Sequence, residues 1–177
     1  MLGRISHAIT QAVLSLGLFK PAPTGVAFSV SCGAPAPPAA RKIRQKRFVL
    51  DGEAVILGVD GVSDFDALHS GKHDEEVQLC AFDILVEGDD DLRNLPLHLR
   101  KTSLERLLAR RPEGIFVNPF ERGEIGPDLF AAACRMGLEG LVSKRRDRSY
   151  QAGRSKHWIK VKNRKHPAMS RVKEAFG

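Results

Sequence analysis

Val77-Gln78-Leu79-Cys80-Ala81-Phe82-Asp83-Ile84-Leu85-Val86 is a nearly continuous apolar run. Its length and its content of β-branched and aromatic residues read as a buried strand. An acidic turn, Glu87 to Asp91, follows it. Upstream, Phe48 to Leu57 reads as a second strand, closed by a turn from Gly58 to Gly61, and Phe65 to His69 as a short helix. Downstream, Thr102 to Arg111 has helical spacing: Thr102 and Glu105 form a capping box, and Leu104, Leu107 and Leu108 share a face. Asp128 to Met136 is another helix, with Leu129, Ala133 and Met136 along one side and Gly137 as its stop. Leu141 to Lys144 and Trp158 to Lys162 read as strands separated by a basic turn. The class is α+β, with antiparallel pairs around Gly and charged turns.

A chain of 177 residues that is 42% hydrophobic and 28% charged excludes a wholly disordered protein, a coiled coil and a collagen-like fibre. No apolar run approaches the ~18–20 residues a membrane span needs. Cys32, Cys80 and Cys134 are too widely spaced for a CxxC zinc site or a disulfide framework. They suggest a reducing compartment, the cytoplasm. The net charge of +7 is segregated. Residues 1–50 hold seven Lys/Arg and no acid, residues 51–140 nine against nineteen Asp/Glu, and residues 141–177 twelve against two. The basic end suits a polyanion.

Residues 1–38 are rich in Ala, Pro, Gly and Ser and read as a leader, disordered and foreign to the domain that follows. Within it, Ala8 to Phe19 has the pattern of a short amphipathic helix. Polar residues Thr10, Gln11 and Ser15 interrupt the stretch and argue against a secretory signal.

Four segments carry chemistry. In Trp158-Ile159-Lys160-Val161-Lys162, strand alternation turns Ile159 and Val161 toward a core and Trp158, Lys160 and Lys162 the other way. Two ammonium groups about 7 Å apart repel unless an anion such as phosphate lies between them. The plainer alternative is a solvated basic edge strand. In Leu50-Asp51-Gly52-Glu53-Ala54-Val55, Asp51 and Glu53 share a face, and Gly52 lets another backbone or a flat ligand approach. Glu53 suits a ribose hydroxyl or a metal, or is one of an ordinary exposed acidic pair. Phe82 is either core or a ring that stacks on a base. Glu139, at the entrance to the Leu141 strand, suits magnesium or is simply exposed.

Taken in order, LDGEAV, AFDIL, LEGLVSK and WIKVKN resemble the nucleotidyltransferase motifs of ATP-dependent DNA ligases, closest to the bacterial end-joining branch. The resemblance runs from about Ala39 to the C-terminus. It implies a partial ATP-grasp-like nucleotidyltransferase (adenylation) domain with antiparallel sheets and flanking helices. It also implies that Glu53 contacts the ribose of ATP, that Phe82 covers the adenine, and that Lys160 and Lys162 grip the α-phosphate. Glu139 becomes the acid of the catalytic metal, Mg2+, and nicked or broken duplex DNA the partner. Lys144 is left without a role.

In that family a lysine in a Lys-x-Asp-Gly sequence attacks ATP and carries AMP. No Lys-x-Asp-Gly occurs here: the upstream lysines are Lys20, Lys42 and Lys46, and the Asp-Gly pairs follow Leu50 and Val59. The expectation is therefore no catalytic nucleophile and no self-adenylation. The barrel-like OB-fold domain with which the family normally continues is not expected within residues 39–177 either. Two alternatives stand beside the ligase reading: a non-catalytic nucleic-acid-binding module using the basic tail, and a subunit completed in trans by a chain that carries the missing motif.

Overall fold

The long apolar run forms the central strand of one of two sheets. The computed structural model describes residues 8–13, 27–30 and 40–166, apart from 41, 46, 60, 62, 111, 112, 124, 125 and 154. Its strands are β1 (Ala8–Val13), β2 (Ala27–Val30), β3 (Phe48–Val55), β4 (Gln78–Glu87), β5 (Asp90–Asp91), β6 (Ile115–Val117), β7 (Phe120–Gly123), β8 (Gly140–Arg145) and β9 (Trp158–Lys162). Its α-helices are α1 (Phe65–Ser70), α2 (Leu97–Leu107) and α3 (Pro127–Arg135). Sheet A has the order β7-β1-β8-β9, antiparallel throughout. Sheet B has the order β2-β3-β4-β5, with β6 running parallel to β4. This is the α+β, largely antiparallel architecture that the sequence predicts.

The core lies between α2 and sheet B. Phe48 and Leu50 of β3 and Leu79, Ala81 and Ile84 of β4 pack against Leu104 and Leu108, with Ile43 and Ile115 closing the ends. Leu50 and Glu53 have opposite parity on β3, so the face away from α2 carries Asp51 and Glu53. The β3–β4 register slips twice. Asp51 pairs with Asp83 and Gly52 with Ala81, which leaves Phe82 as an extra residue with no partner across the ladder. Such a bulge re-aims a side chain. Gly52 permits it: a Cβ there would lie 2.8 Å from the carbonyl oxygen of Cys80. The close approach at Gly52 is thus made by a backbone.

Four local expectations are corrected. The second helix begins at Leu97, after Pro96, and ends at Leu107. Thr102 is therefore mid-helix, and its hydroxyl donates to the carbonyl of His98 at 3.1 Å instead of capping. Ala8–Val13 is a strand, because an extended segment there pairs with both β7 and β8; residues 14–19 of the expected helix lie outside the described residues. Ile159 is 41% exposed, since β9 is the edge of sheet A. Met136 is 70% exposed, past the last turn of α3, where only Ala133 is buried. Two segments of the presumed leader thus have places in the sheets, β2 alongside β3 and β1 between β7 and β8.

Candidate functional site

The β8–β9 register places Gly140 opposite Lys162, Val142 opposite Lys160 and Lys144 opposite Trp158. Directly paired residues share a face, so these six line one side of sheet A. Lys160 and Lys162 are exposed, whereas Lys144 is only 3% exposed. Its ammonium lies 4.3 Å from the centre of the Trp158 ring and 4.6 Å from the centre of the Phe82 ring. Phe82 belongs to β4, so the cationic face of sheet A and the re-aimed ring of sheet B look into one cleft.

Two carboxylates complete its wall. Glu139 follows the left-handed Gly137 that ends α3 and is held by Asn163, whose backbone N–H donates to the Glu139 carbonyl at 2.6 Å. Its side chain is buried: Oε1 lies 3.8 Å from Lys162 Nζ, while Oε2 has no hydrogen-bond donor among the described residues. Burial pushes the Glu53 carboxyl up to about 7; Lys160 opposes that rise and Glu139 adds to it. Glu53 is therefore close enough to feel both. The structure thus gathers Glu53, Phe82, Glu139, Lys160 and Lys162 around one space.

Beneath them is a buried polar network that sequence reasoning missed. Arg100 makes a two-pronged pair with Asp83 at 2.9 and 2.8 Å, both side chains at most 2% exposed. The Tyr150 hydroxyl donates to Asp51 Oδ2 at 3.0 Å. Burial lowers the Lys144 ammonium, and Asp83 and Asp51 resist that fall. Lys101 is fully buried over the Phe120 ring at 4.3 Å with no hydrogen-bond acceptor among the described residues, and burial, then Lys144, pulls it down to about 7. The Cys80 thiol is pushed up to about 12 by burial and is no nucleophile at neutral pH. One signal for Lys144 was present in the sequence: its parity matches Val142, which faces Lys160.

The Glu53 shift has a measurable sign. Its folded value of about 7 exceeds its ordinary 4.5, so the folded chain holds an extra proton between those limits. Stability from this group falls as pH rises through that window. Lys101, lowered toward 7, changes stability in the opposite direction above it, so the informative quantity is a difference. Glu53→Gln is expected to raise the melting temperature over the parent chain more at pH 8 than at pH 5. An equal offset at both would contradict the burial of this carboxyl.

The donor set also fits a hard cation. A buried carboxylate oxygen without a donor and a neighbouring carboxylate are the ligands magnesium accepts while keeping several waters. No cluster of three or more His, Cys, Asp or Glu exists among the described residues, which therefore offer one or two ligands. Of the upstream lysines, Lys20 and Lys46 lie outside the described residues. Lys42 is paired with Glu113 at 2.9 Å on the α2 side of sheet B, away from the cleft.

The model of the family described as "ATP dependent DNA ligase domain" matches residues 35–162, a span containing all five cleft residues and opening just ahead of Ala39. The chain is 38% identical over 120 residues to the multifunctional non-homologous end joining protein LigD of Pseudomonas aeruginosa, covering 66% of this chain and 14% of that one. It is 32% identical over 120 residues to the SPbeta prophage-derived DNA ligase-like protein LigB of Bacillus subtilis, covering 65% and 44%. The chain therefore spans only a minor part of the curated relatives' length. Among solved structures, the ligase domain of LigD from M. tuberculosis superposes with a TM-score of 0.57 at 36% identity, covering 66% of this chain and 37% of that one. Matched by the family model over most of its length and sharing the fold of a solved ligase domain, the chain belongs to the family of ATP-dependent DNA ligase domains.

Proposed function

We propose that the cleft binds ATP as part of a DNA ligase-type nucleotidyltransferase, the class that seals nicks or breaks in DNA through transfer of AMP. A solved mycobacterial DNA ligase D, 36% identical to this chain, is complexed with ATP. The observation that carries the reading is the closure across the cleft: Lys144 of β8 reaches the Phe82 ring of β4, on the face that also presents Lys160 and Lys162. Phe82 offers its ring to the adenine. Lys144 covers that ring in the free chain, so a base stacked there displaces the ammonium. Lys160 and Lys162 take the α-phosphate with two charge-assisted contacts. Glu53 accepts from the ribose. Glu139 would hold Mg2+, which when bound would neutralise charge on the phosphates.

The chain binds the nucleotide but does not adenylate itself. No lysine of the sequence stands in a Lys-x-Asp-Gly context. Lys101, whose ammonium burial pulls down to about 7, is fully buried and thus shielded from a phosphate. A second chain carrying the motif would supply the nucleophile in trans. The test has two parts. In equilibrium dialysis, Lys160→Ala/Lys162→Ala is expected to weaken ATP binding by about tenfold or more, since each charge-assisted hydrogen bond contributes roughly 1.5–3 kcal/mol. With labelled ATP and magnesium, no covalent protein–AMP band is expected after SDS electrophoresis. Equal ATP affinity in the double variant sinks the cleft assignment, and a labelled band sinks the claim about the nucleophile.

A further inference from the structure

Two basic runs, far apart in the sequence, meet on the opposite side of sheet B from the cleft. Lys42, Ile43, Arg44 and Gln45 precede β3, and Arg106, Leu107, Ala109 and Arg110 span the end of α2 and the turn after it. Lys42, Arg44, Arg106 and Arg110 line one groove of about 530 Å³ with Glu87 and Glu113. The groove is fixed by packing. Ile43 is 5% exposed and buried in the same core as Leu104 and Leu108, which locks the first run onto the helix that carries the second. Phe48 and Leu50 face that core, while Asp51 and Glu53 have the opposite parity, so sheet B separates groove from cleft.

The charges do not cancel. Lys42 takes Glu113 at 2.9 Å, and Arg106 takes Glu87 at 2.7 Å. Both lining acids are thereby used. Arg44 and Arg110 are exposed, and neither makes an ion pair among the described residues. Among the described lining residues, four cations against two carboxylates leave a surplus of two positive charges. The surplus stands out because Glu87, Arg106, Arg110 and Glu113 belong to the stretch 51–140, where nineteen acids outnumber nine Lys/Arg. A helix C-terminus favours cations, which accounts for Arg106 and Arg110. It does not account for Arg44, which comes from the other run and opens on the same hollow.

We propose that this groove is a second contact for duplex DNA, gripping the sugar–phosphate backbone through Arg44 and Arg110 independently of the nucleotide cleft. Guanidinium groups match phosphate oxygens in a two-pronged geometry. A duplex presents a row of phosphates, which offers an anion to each of the two arginines. An acidic polypeptide would have to place its carboxylates to match, against the two glutamates already on the walls.

The probe is an intact, fluorescently labelled 20-base-pair duplex, with neither nick nor ATP, followed by anisotropy from low to moderate salt. Arg44→Ala/Arg110→Ala is expected to weaken binding by about tenfold at low salt and to shrink the log–log salt slope by roughly two, since each lost phosphate contact removes about 0.9. Arg44→Lys/Arg110→Lys should keep the slope, because the charges remain. Lys72→Ala/Arg135→Ala, which removes two exposed cations outside both groove and cleft, should stay within about twofold of the parent chain. An unchanged slope in the alanine pair overturns the proposal, as does no duplex binding by the parent chain. Tighter binding of polyglutamate than of duplex at equal charge overturns it in favour of an acidic protein partner.

Discussion

Arg100→Ala is expected to lower the melting temperature by about 10 °C or more, or to leave no cooperative transition. The guanidinium is fully enclosed. It gives two hydrogen bonds to Asp83 and also donates to the backbone carbonyls of Leu95 and Arg148. One side chain thus ties α2 to β4 and to the turn beyond β8. Truncating it strands a carboxylate that is 1% exposed, and breaking such a pair costs about 3–5 kcal/mol. That is a large share of the roughly 5–15 kcal/mol that holds a domain folded. For a chain of this size, about 2–4 °C is lost per kcal/mol. Asp83→Leu/Arg100→Met removes both charges and should recover much of the loss, because the larger part of the penalty is the orphaned ion rather than the missing attraction. Thermal melts of the single and double variants decide it. A double variant no better than Arg100→Ala would show that the shape of the pair, not its charge balance, is what the fold requires.

Gly140→Ala is expected to damage stability and ATP binding together. A Cβ at Gly140 would overlap the carbonyl oxygen of Val161 and lie 3.0 Å from the Lys162 Cα. The obstacle is the backbone of β9, which cannot rotate aside as a side chain would. The ladder must open at the Gly140–Lys162 pair, at or above the roughly 1–3 kcal/mol usual for overpacking. The opening shifts the strand that carries Lys160 and Lys162 and pulls Lys162 from Glu139. Denaturant unfolding read beside dialysis with ATP should show both losses. Wild-type stability in Gly140→Ala would mean that β9 seats itself differently.

Four strands, β3, β4, β8 and β9, were legible because their signal is local. The run Leu79–Leu85 is apolar at every position but Asp83, and only a buried strand suits it. Alternation put Lys160 and Lys162 on one face without reference to anything distant. The start of α2 was not legible. Thr102 and Glu105 have the spacing of a cap, but the helix is extended backward by Leu97 and Arg100, which are buried against partners elsewhere in the chain. The buried charges were hidden for the same reason. Asp83 and Arg100 are seventeen residues apart, and nothing in either neighbourhood announces the other. Ile159 failed because alternation states which residues share a face, not whether anything covers it. Phe82 faces the cleft through a register slip that depends on Gly52 in the neighbouring strand.

Trp158 is the only tryptophan in the chain, and its indole lies against the ammonium that also covers Phe82. A positive charge so near an indole alters its emission, so intrinsic fluorescence reads out a single place in this molecule. Any compound that pushes the Lys144 amine off the paired rings will register as a change in colour or brightness, without a dye and without turnover.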